Sequence, residues 1–343
     1  MVANFKMLSE AGFVARFCWH TNFDAFSNHE FDSCLAGRAD LLRAKKGDLV
    51  FVWFPSVAAL LDMMLVRIFT QATAVYVFHE PFSSLRSYRE SGFGLLKTAK
   101  VALVSLVSYG LVSFAHKVVL PSSAALAAYK ARYNMAKQYA QFPLMFDDEA
   151  VAILPKENRE YIAYIGTVAE DHAFDEFLKF AFWVLENGEL QGYKILIATR
   201  SALAQETAAK LQPYVDAGMA VIQSGRPLSN EEINGFYSRS MVVWNAYRRS
   251  MQSGVLPKAY MFGTPVIITS VNRSEFFVDK VTGIEVSPDY DVNEILAAIG
   301  SIVSGFSEYS KACRAVFCEK FFYRSFAEPF VEFVTSETHG GIA

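Results

Sequence analysis

Residues 244–269 read WNAYRRSMQSGVLPKAYMFGTPVIIT, and the order of residue types in them decides how the chain folds. The apolar run 241–245 predicts a strand that ends in a polar segment. Ser253-Gly254 comes next, then a short helix over 255–262, a Gly263-Thr264-Pro265 turn and a second apolar strand. Strand, glycine-bearing loop, helix start and next strand form the unit with which α/β proteins grip anions.

A helix start leaves its first N–H groups unpaired and carries about half a positive charge. Gly254 lets the backbone come close, Ser253 can cap, and Val255 opens the helix. Lys258 falls in the first turn of that helix, where its charge opposes the dipole unless an anionic ligand lies nearby. An ordinary Ser-capped helix with an exposed lysine fits the same letters. Arg248 and Arg249 end the preceding strand, where α/β folds place ligands, and guanidinium forks match phosphate oxygens. Neighbours in an extended segment point to opposite sides, so one of the two is expected to be only solvated.

Outward from this stretch the pattern alternates. Strands are predicted over 161–165, 194–198, 220–223, 241–245 and 283–286, with helices over 174–186, 201–211, 230–237 and from 292 and 307 onward. The first half gives helices over 8–11, 39–46, 55–69 and from 86, and strands over 13–19, 49–54, 74–78 and 118–120. This is the spacing of parallel βαβ units, hence an α/β class with two doubly wound halves. If the first half is a nucleotide-type fold, its first strand is very short or absent, or the start lies upstream. Residues 141–158 break the rhythm with two prolines and three consecutive acids, as an interdomain linker does. The expected division is a domain over 1–145, a linker over 146–158, a second domain over 159–306 and C-terminal helices over 307–334.

With 343 residues, 52% of them hydrophobic, the chain can bury two ordinary cores. A net charge of −3 with well-mixed signs argues against nucleic-acid binding across a broad basic face. Cys18, Cys34, Cys313 and Cys318 form no CxxC and no zinc-type spacing, so reduced thiols and no metal site are expected. The start, MVANFKMLSEAGF, lacks a signal peptide's basic and apolar parts, which leads to the expectation of a cytoplasmic protein. Residues 101–115 carry no charge but fall short of the about 20 residues a membrane span needs. Arg86, Arg89, Lys97 and Lys100 before that run, and His116-Lys117 after it, suit a helix lying in an anionic membrane surface. A buried core helix is the equal alternative.

Three further places could carry chemistry. Gly166, directly after the strand 161–165, offers close approach to a diphosphate, although turns need glycine anyway. His79-Glu80 ends a strand of the first half, where a histidine could hold a proton or a sugar hydroxyl with Glu80 as partner. A structural His-Glu-Pro turn is the commoner use. Asp171-His172 is a weaker case in a polar loop.

Together these residues resemble the retaining GT-B glycosyltransferases, especially family 4 and its bacterial polysaccharide and lipopolysaccharide branches. The similarity is carried by Tyr161 to Gly166 (YIAYIG), by VIQSGRPLSNEEINGFY over 221–237, by Gln252-Ser253-Gly254-Val255 leading to Gly263-Thr264-Pro265-Val266-Ile267, and by Thr282-Gly283-Ile284. In the first half it rests on His79 and Pro121-Ser122.

The resemblance implies two Rossmann-like domains facing a central cleft and a hexosyltransferase-type enzyme that needs neither metal nor cofactor. It would move a sugar from a nucleotide-diphosphate donor, with retention, to a saccharide acceptor that is lipid-linked in polysaccharide or lipopolysaccharide assembly. The chain would sit in the cytoplasm, peripherally at the inner face of the plasma membrane. Gly166, Arg248, Ser253, Gly254, Val255 and Lys258 would hold the donor phosphates, His79 and Lys258 would act in catalysis, and Glu80 would contact acceptor or sugar. The family's two glutamates, eight positions apart, correspond here to Ser250 and Lys258, and a lysine cannot accept hydrogen bonds from ribose hydroxyls. The basic pair that usually follows the glycine is replaced by Thr167-Val168-Ala169-Glu170, leaving Arg248, Lys258, Arg200 and Arg226 to neutralise phosphate. These departures keep two alternatives in play: a non-catalytic binding or scaffold subunit, and a sugar-nucleotide epimerase.

Overall fold

The structure is a computed structural model that describes residues 2–16, 37–78, 84–90, 93–133, 137–189, 192–249 and 253–337. It divides the chain into two compact units, one of residues 1–147 with 322–343 and one of residues 148–321.

The first unit holds four parallel strands, β1 (Leu49–Val52), β2 (Thr73–Val77), β3 (Lys117–Leu120) and β4 (Gln138–Gln141), in the order β1-β2-β3-β4. Strand side chains alternate between faces, and both faces are covered. Ala74, Tyr76, Phe78 and Val118 pack with helices Val57–Phe69, Leu95–Phe114 and Ser123–Arg132. Val75, Val77 and Val119 face helices Val2–Glu10 and Ala327–Thr335 through Met7, Phe330 and Val334. Sheets buried on both faces read as continuous apolar runs, as β2 and β3 do. Ser56 and Ser122 cap two of the crossover helices by accepting from the amides of Ala59 and Ala125, both at 3.1 Å. Lys117, at the start of β3, is fully buried. Its ammonium donates to the carbonyls of Phe333 (2.6 Å) and Val334 (3.1 Å) at the end of the last helix, satisfying acceptors that a helix terminus leaves open.

The second unit holds β5 (Tyr161–Ile165), β6 (Lys194–Ala198), β7 (Ala220–Gln223), β8 (Ser240–Asn245), β9 (Val266–Thr269) and β10 (Gly283–Val286), all parallel, in the order β10-β9-β8-β5-β6-β7. The order reverses between β5 and β8, the topological switch point at which open α/β sheets bind ligands. Helix Phe174–Asn187 packs Phe177 and Phe180 against Trp244 of β8. Gly283 lies where β10 passes closest to β9: a Cβ there would meet the Val266 carbonyl oxygen at 2.1 Å. Arg159, 3% exposed, ties the start of this unit to the β8–β9 connection. It donates to the Ser240 carbonyl (2.8 Å), Thr264 Oγ1 (2.7 Å) and the Phe262 carbonyl (2.8 Å).

Several local expectations change. The strand Gln138–Gln141 has no apolar run to announce it, because it is a short edge strand with alternate residues exposed. The helix expected over 201–211 starts later, at Gln205, because Ser201 is used in the loop, its Oγ accepting from Val168 N at 3.2 Å. The helix over 39–46 shrinks to Arg38–Leu41. Residues 13–16 are not a strand, and 17–19 lie outside the described residues. Helix Phe306–Lys320 belongs to the second unit, packing Phe306 and Tyr309 into its core. The return to the first unit therefore comes only after Phe321, not from 307.

Candidate functional site

The C-terminal ends of β5 and β8 place two loops side by side. From β5 come Gly166 and the loop 167–173; from β8 come Ala246, Tyr247, Arg248 and Arg249. Backbone and side chains sew them together. The Arg248 amide donates to the Asp171 carbonyl at 3.0 Å, Tyr164 Oη donates to the Thr167 carbonyl at 2.7 Å, and His172 Nδ1 lies 3.0 Å from the same oxygen. The His172 ring stacks on Tyr247, with centroids 4.6 Å apart and planes 10° from parallel. Burial lowers the His172 pKa below its ordinary value, with Asp171 acting in the opposite sense, so the ring stacks in its neutral form. Ala173 closes the loop in a left-handed conformation, φ 51°, which costs a residue bearing a Cβ about 1 kcal/mol. Strain of this kind is tolerated where neighbours over-determine the loop, and here Arg248 and Tyr247 do so.

Tyr247 is the residue that charge-based reading passed over. Its hydroxyl lies near Ser253, and burial pushes its pKa up to about 12, so it stays protonated. The same oxygen lies 3.8 Å from the point where a Cβ on Gly166 would be. This hydroxyl therefore stands close to both the glycine after β5 and the serine before the next helix. An aromatic two residues beyond the buried strand Ser240–Asn245 was the available signal.

The cations named from the sequence are largely committed to protein partners. Arg248 is not directed at an open anion site. Its guanidinium bonds Asp175 Oδ2 (2.6 Å), Glu176 Oε1 (2.9 Å) and the Glu170 carbonyl (2.9 Å), bracing the first turn of helix Phe174–Asn187. Arg249 is not merely solvated either: Nε lies 3.1 Å from Asp171 Oδ2 in a pair 13% and 12% exposed. Arg226 is held by Glu232 within the capping box of helix Asn230–Arg239. Arg200 is exposed and makes no ion pair among the described residues, in the connection after β6 that also carries Ser201.

Lys258 needs correction on two points. The helix is Val255–Met261, only seven residues, and Lys258 stands in its last turn, where a positive charge suits the dipole. Its ammonium pairs with Glu149 Oε1 at 2.9 Å and is 12% exposed. The other Glu149 oxygen accepts from Asn234 Nδ2 at 2.8 Å. Ser253 is not the cap foreseen for this helix: Gly254 is the N-cap and no side chain caps it, while Ser253 Oγ accepts from the Val255 amide at 3.2 Å in the turn before it. His79, Glu80 and Ser250 lie outside the described residues.

Residues 159–304 match the family model described as glycosyl transferases group 1. No curated protein matches the sequence. Among solved structures the chain is similar to sucrose-phosphate synthase from Thermosynechococcus elongatus, with a TM-score of 0.63 and 16% identity over 83% of this chain and 72% of that one. HepE of Anabaena in complex with UDP-glucose gives 0.62 and 13% over 84% and 79%. TarM, from S. aureus, gives 0.63 and 12% over 87% and 57%. At such identities the likeness is one of fold. The chain shares the GT-B fold of these structures, and its residues 159–304 resemble the glycosyl transferases group 1 family.

Proposed function

We propose that the protein is a retaining, metal-independent glycosyltransferase that moves a hexosyl group from a nucleotide-diphosphate sugar to a saccharide acceptor. The acceptor is lipid-linked, in polysaccharide or lipopolysaccharide assembly, and the enzyme works at the cytoplasmic face of the membrane. The observation that carries the transfer reading is the match of residues 159–304 to the glycosyl transferases group 1 model, with Gly166 and Tyr247 following β5 and β8 at the switch point of the sheet. HepE has been captured with UDP-glucose and with UDP and glucose, so uridine diphosphate sugars are the first donors to try.

In this reading the backbone around Gly166 and Ser253-Gly254-Val255, the Tyr247 hydroxyl and Arg200 receive the diphosphate. Hydrogen-bond donors fixed in place before reaction stabilise a leaving group's charge without reorganising. His79 stands beside the transferred sugar and Glu80 beside acceptor or sugar, as the family resemblance implies. Arg248 acts by bracing the loop after β5 and the helix that follows it, and Lys258 by holding Glu149, rather than by touching phosphate.

A scaffold subunit without catalysis is the second reading, favoured by the commitment of Lys258, Arg248 and Arg226 to carboxylates. Calorimetric titration with UDP, GDP and ADP, followed by sugar-release assays with and without acceptor, separates the readings. Saturable binding with acceptor-dependent release supports transfer. No saturable nucleotide binding supports the scaffold, and conversion of donor without acceptor supports an epimerase.

A further inference from the structure

We infer that the outer face of helices Val57–Phe69 and Leu95–Phe114 is a docking surface for an anionic lipid bilayer. A helix packed on a sheet ordinarily turns polar residues to solvent. These two do the opposite. Val57, Leu61, Ile68 and Phe69 are exposed on the first, and Leu95, Leu96, Leu103 and Leu106 on the second, with Leu96 at 89% and Leu106 at 68%. Leu96, Leu103 and Leu106 recur at helical spacing, as do Val57, Leu61 and Ile68, so each set forms a stripe. The helices adjoin, because a Cβ on Gly110 would touch Leu60 Cδ1 at 2.9 Å, and the stripes make one apolar surface of a kind monomeric soluble proteins rarely show. Polar atoms on the second helix do not compensate: Ser105 and Ser113 donate to the carbonyls of Val101 and Tyr109 in their own helix.

Leu95–Phe114 is long and apolar enough to cross a bilayer, but its other face is spoken for. Leu111 and Val112 are fully buried, and Ser108 Oγ lies 2.8 Å from Tyr76 Oη of β2. Crossing would strip that cover from β2, whereas lying in the interface leaves it in place.

Charge selects the occupant. Arg86, Arg89, Lys97 and Lys100 are exposed at the start of this helical region, and Glu90 is the single acid over 84–117 in a chain whose net charge is −3. A second copy meeting this face through a two-fold would set like charges against each other. An anionic headgroup layer takes both the cations and the leucines. The inference rests on the membrane-face reading above for its purpose, but binding itself needs no catalysis.

The test is cosedimentation of the full chain with phosphatidylcholine vesicles, with and without about 30 mol% phosphatidylglycerol. Binding to the anionic vesicles is expected, weakened by salt. Lys97→Gln with Lys100→Gln should reduce partitioning roughly five-fold per charge, and Leu103→Glu with Leu106→Glu should abolish it. Both pairs are solvent-facing, and retained circular dichroism confirms that the variants fold. Equal binding by either double variant overturns the inference. So does absence of vesicle binding, or a concentration-dependent dimer in sedimentation velocity that Leu103→Glu with Leu106→Glu disperses. Nucleotide titration of the same samples is read separately: vesicle binding without nucleotide binding would overturn the transferase reading and leave the docking surface, and the reverse result would do the opposite.

Discussion

Lys258 and Glu149 meet at 2.9 Å, one in the last turn of a seven-residue helix and the other in the first residues of the second unit. Glu149 also takes the Asn234 amide on its second oxygen, so the lysine completes a carboxylate whose acceptors are both used. Removing one member of a partly buried pair leaves the other unpaired, at a cost between the surface and the buried cases, about 2 kcal/mol. Lys258→Met should therefore lower the urea midpoint while kcat/KM falls by less than about tenfold. Exchanging the charges, Lys258→Glu with Glu149→Lys, should restore part of the stability. A loss of kcat/KM well beyond tenfold with unchanged stability would return Lys258 to the chemistry.

With Arg248, Arg226 and Lys258 engaged, Arg200 is the named cation left exposed without an ion pair among the described residues. Arg200→Ala should leave the melting temperature within about 1 °C, since exposed substitutions stay within about 0.5 kcal/mol. Nucleoside diphosphate affinity should weaken about tenfold, the size of one charge-assisted contact. Unchanged affinity would remove it from the donor site.

The second unit was legible because its strands are short runs rich in apolar residues, fully buried in β5, β8 and β9 and partly buried in β7 and β10. The bounds 161–165, 194–198, 220–223 and 283–286 agree with β5, β6, β7 and β10, and the switch point follows from their order. What the letters could not show were partners distant in the chain. Lys258 looked like a charge in need of an anion because Glu149 lies far upstream in a stretch read as linker. Arg248 looked available because Asp175 and Glu176 read as the ordinary acidic first turn of a helix. Tyr247 was invisible to a search for charge and glycine, since its meaning comes from the His172 ring it stacks on and the Gly166 backbone beside its hydroxyl. The apolar run 101–115 left a surface-lying helix and a buried core helix as equal alternatives, because only burial residue by residue separates the face on the sheet from the face on solvent.

His116 offers a pH readout of the first unit. Its Nδ1 accepts from the Ala74 amide at 2.9 Å, which requires that nitrogen to be unprotonated. Burial, with Arg67, Lys137 and Lys117 nearby, lowers its pKa from the ordinary 6.5 to about 4. The unfolded chain takes up the proton first, so this contribution is complete above about pH 6.5 and is lost as pH falls toward about 4. Urea midpoints measured across that window should drop more steeply for the native protein than for His116→Asn, which can still accept the bond without titrating. Parallel slopes would mean that His116 is already accessible to protons.

Gly283 tests the register of the second sheet. A methyl group there would sit 2.1 Å from the Val266 oxygen, its own pairing partner on β9, and backbone cannot yield as a flexible side chain can. Gly283→Ala should cost more than about 3 kcal/mol, at the upper end of overpacking effects, and show as a large fall in melting temperature. A variant as stable as the native chain would place β10 in another register.

Tyr247→Phe separates framework from function at the switch point. The ring remains, and with it the stack on His172; only the hydroxyl between Ser253 and Gly166 is lost. A purely structural hydroxyl would cost about 1 kcal/mol of stability, the worth of one buried hydrogen bond, and nothing in affinity. A protonated hydroxyl on the diphosphate path would also donate to the ligand, and its loss should weaken UDP binding about tenfold, or 1.4 kcal/mol. The expected result is both effects at once, in calorimetric titration and thermal melting of the same preparation. If stability falls while affinity holds, Tyr247 only shapes the loops, and the diphosphate must be received by the backbone around Gly166 and by Arg200 without it.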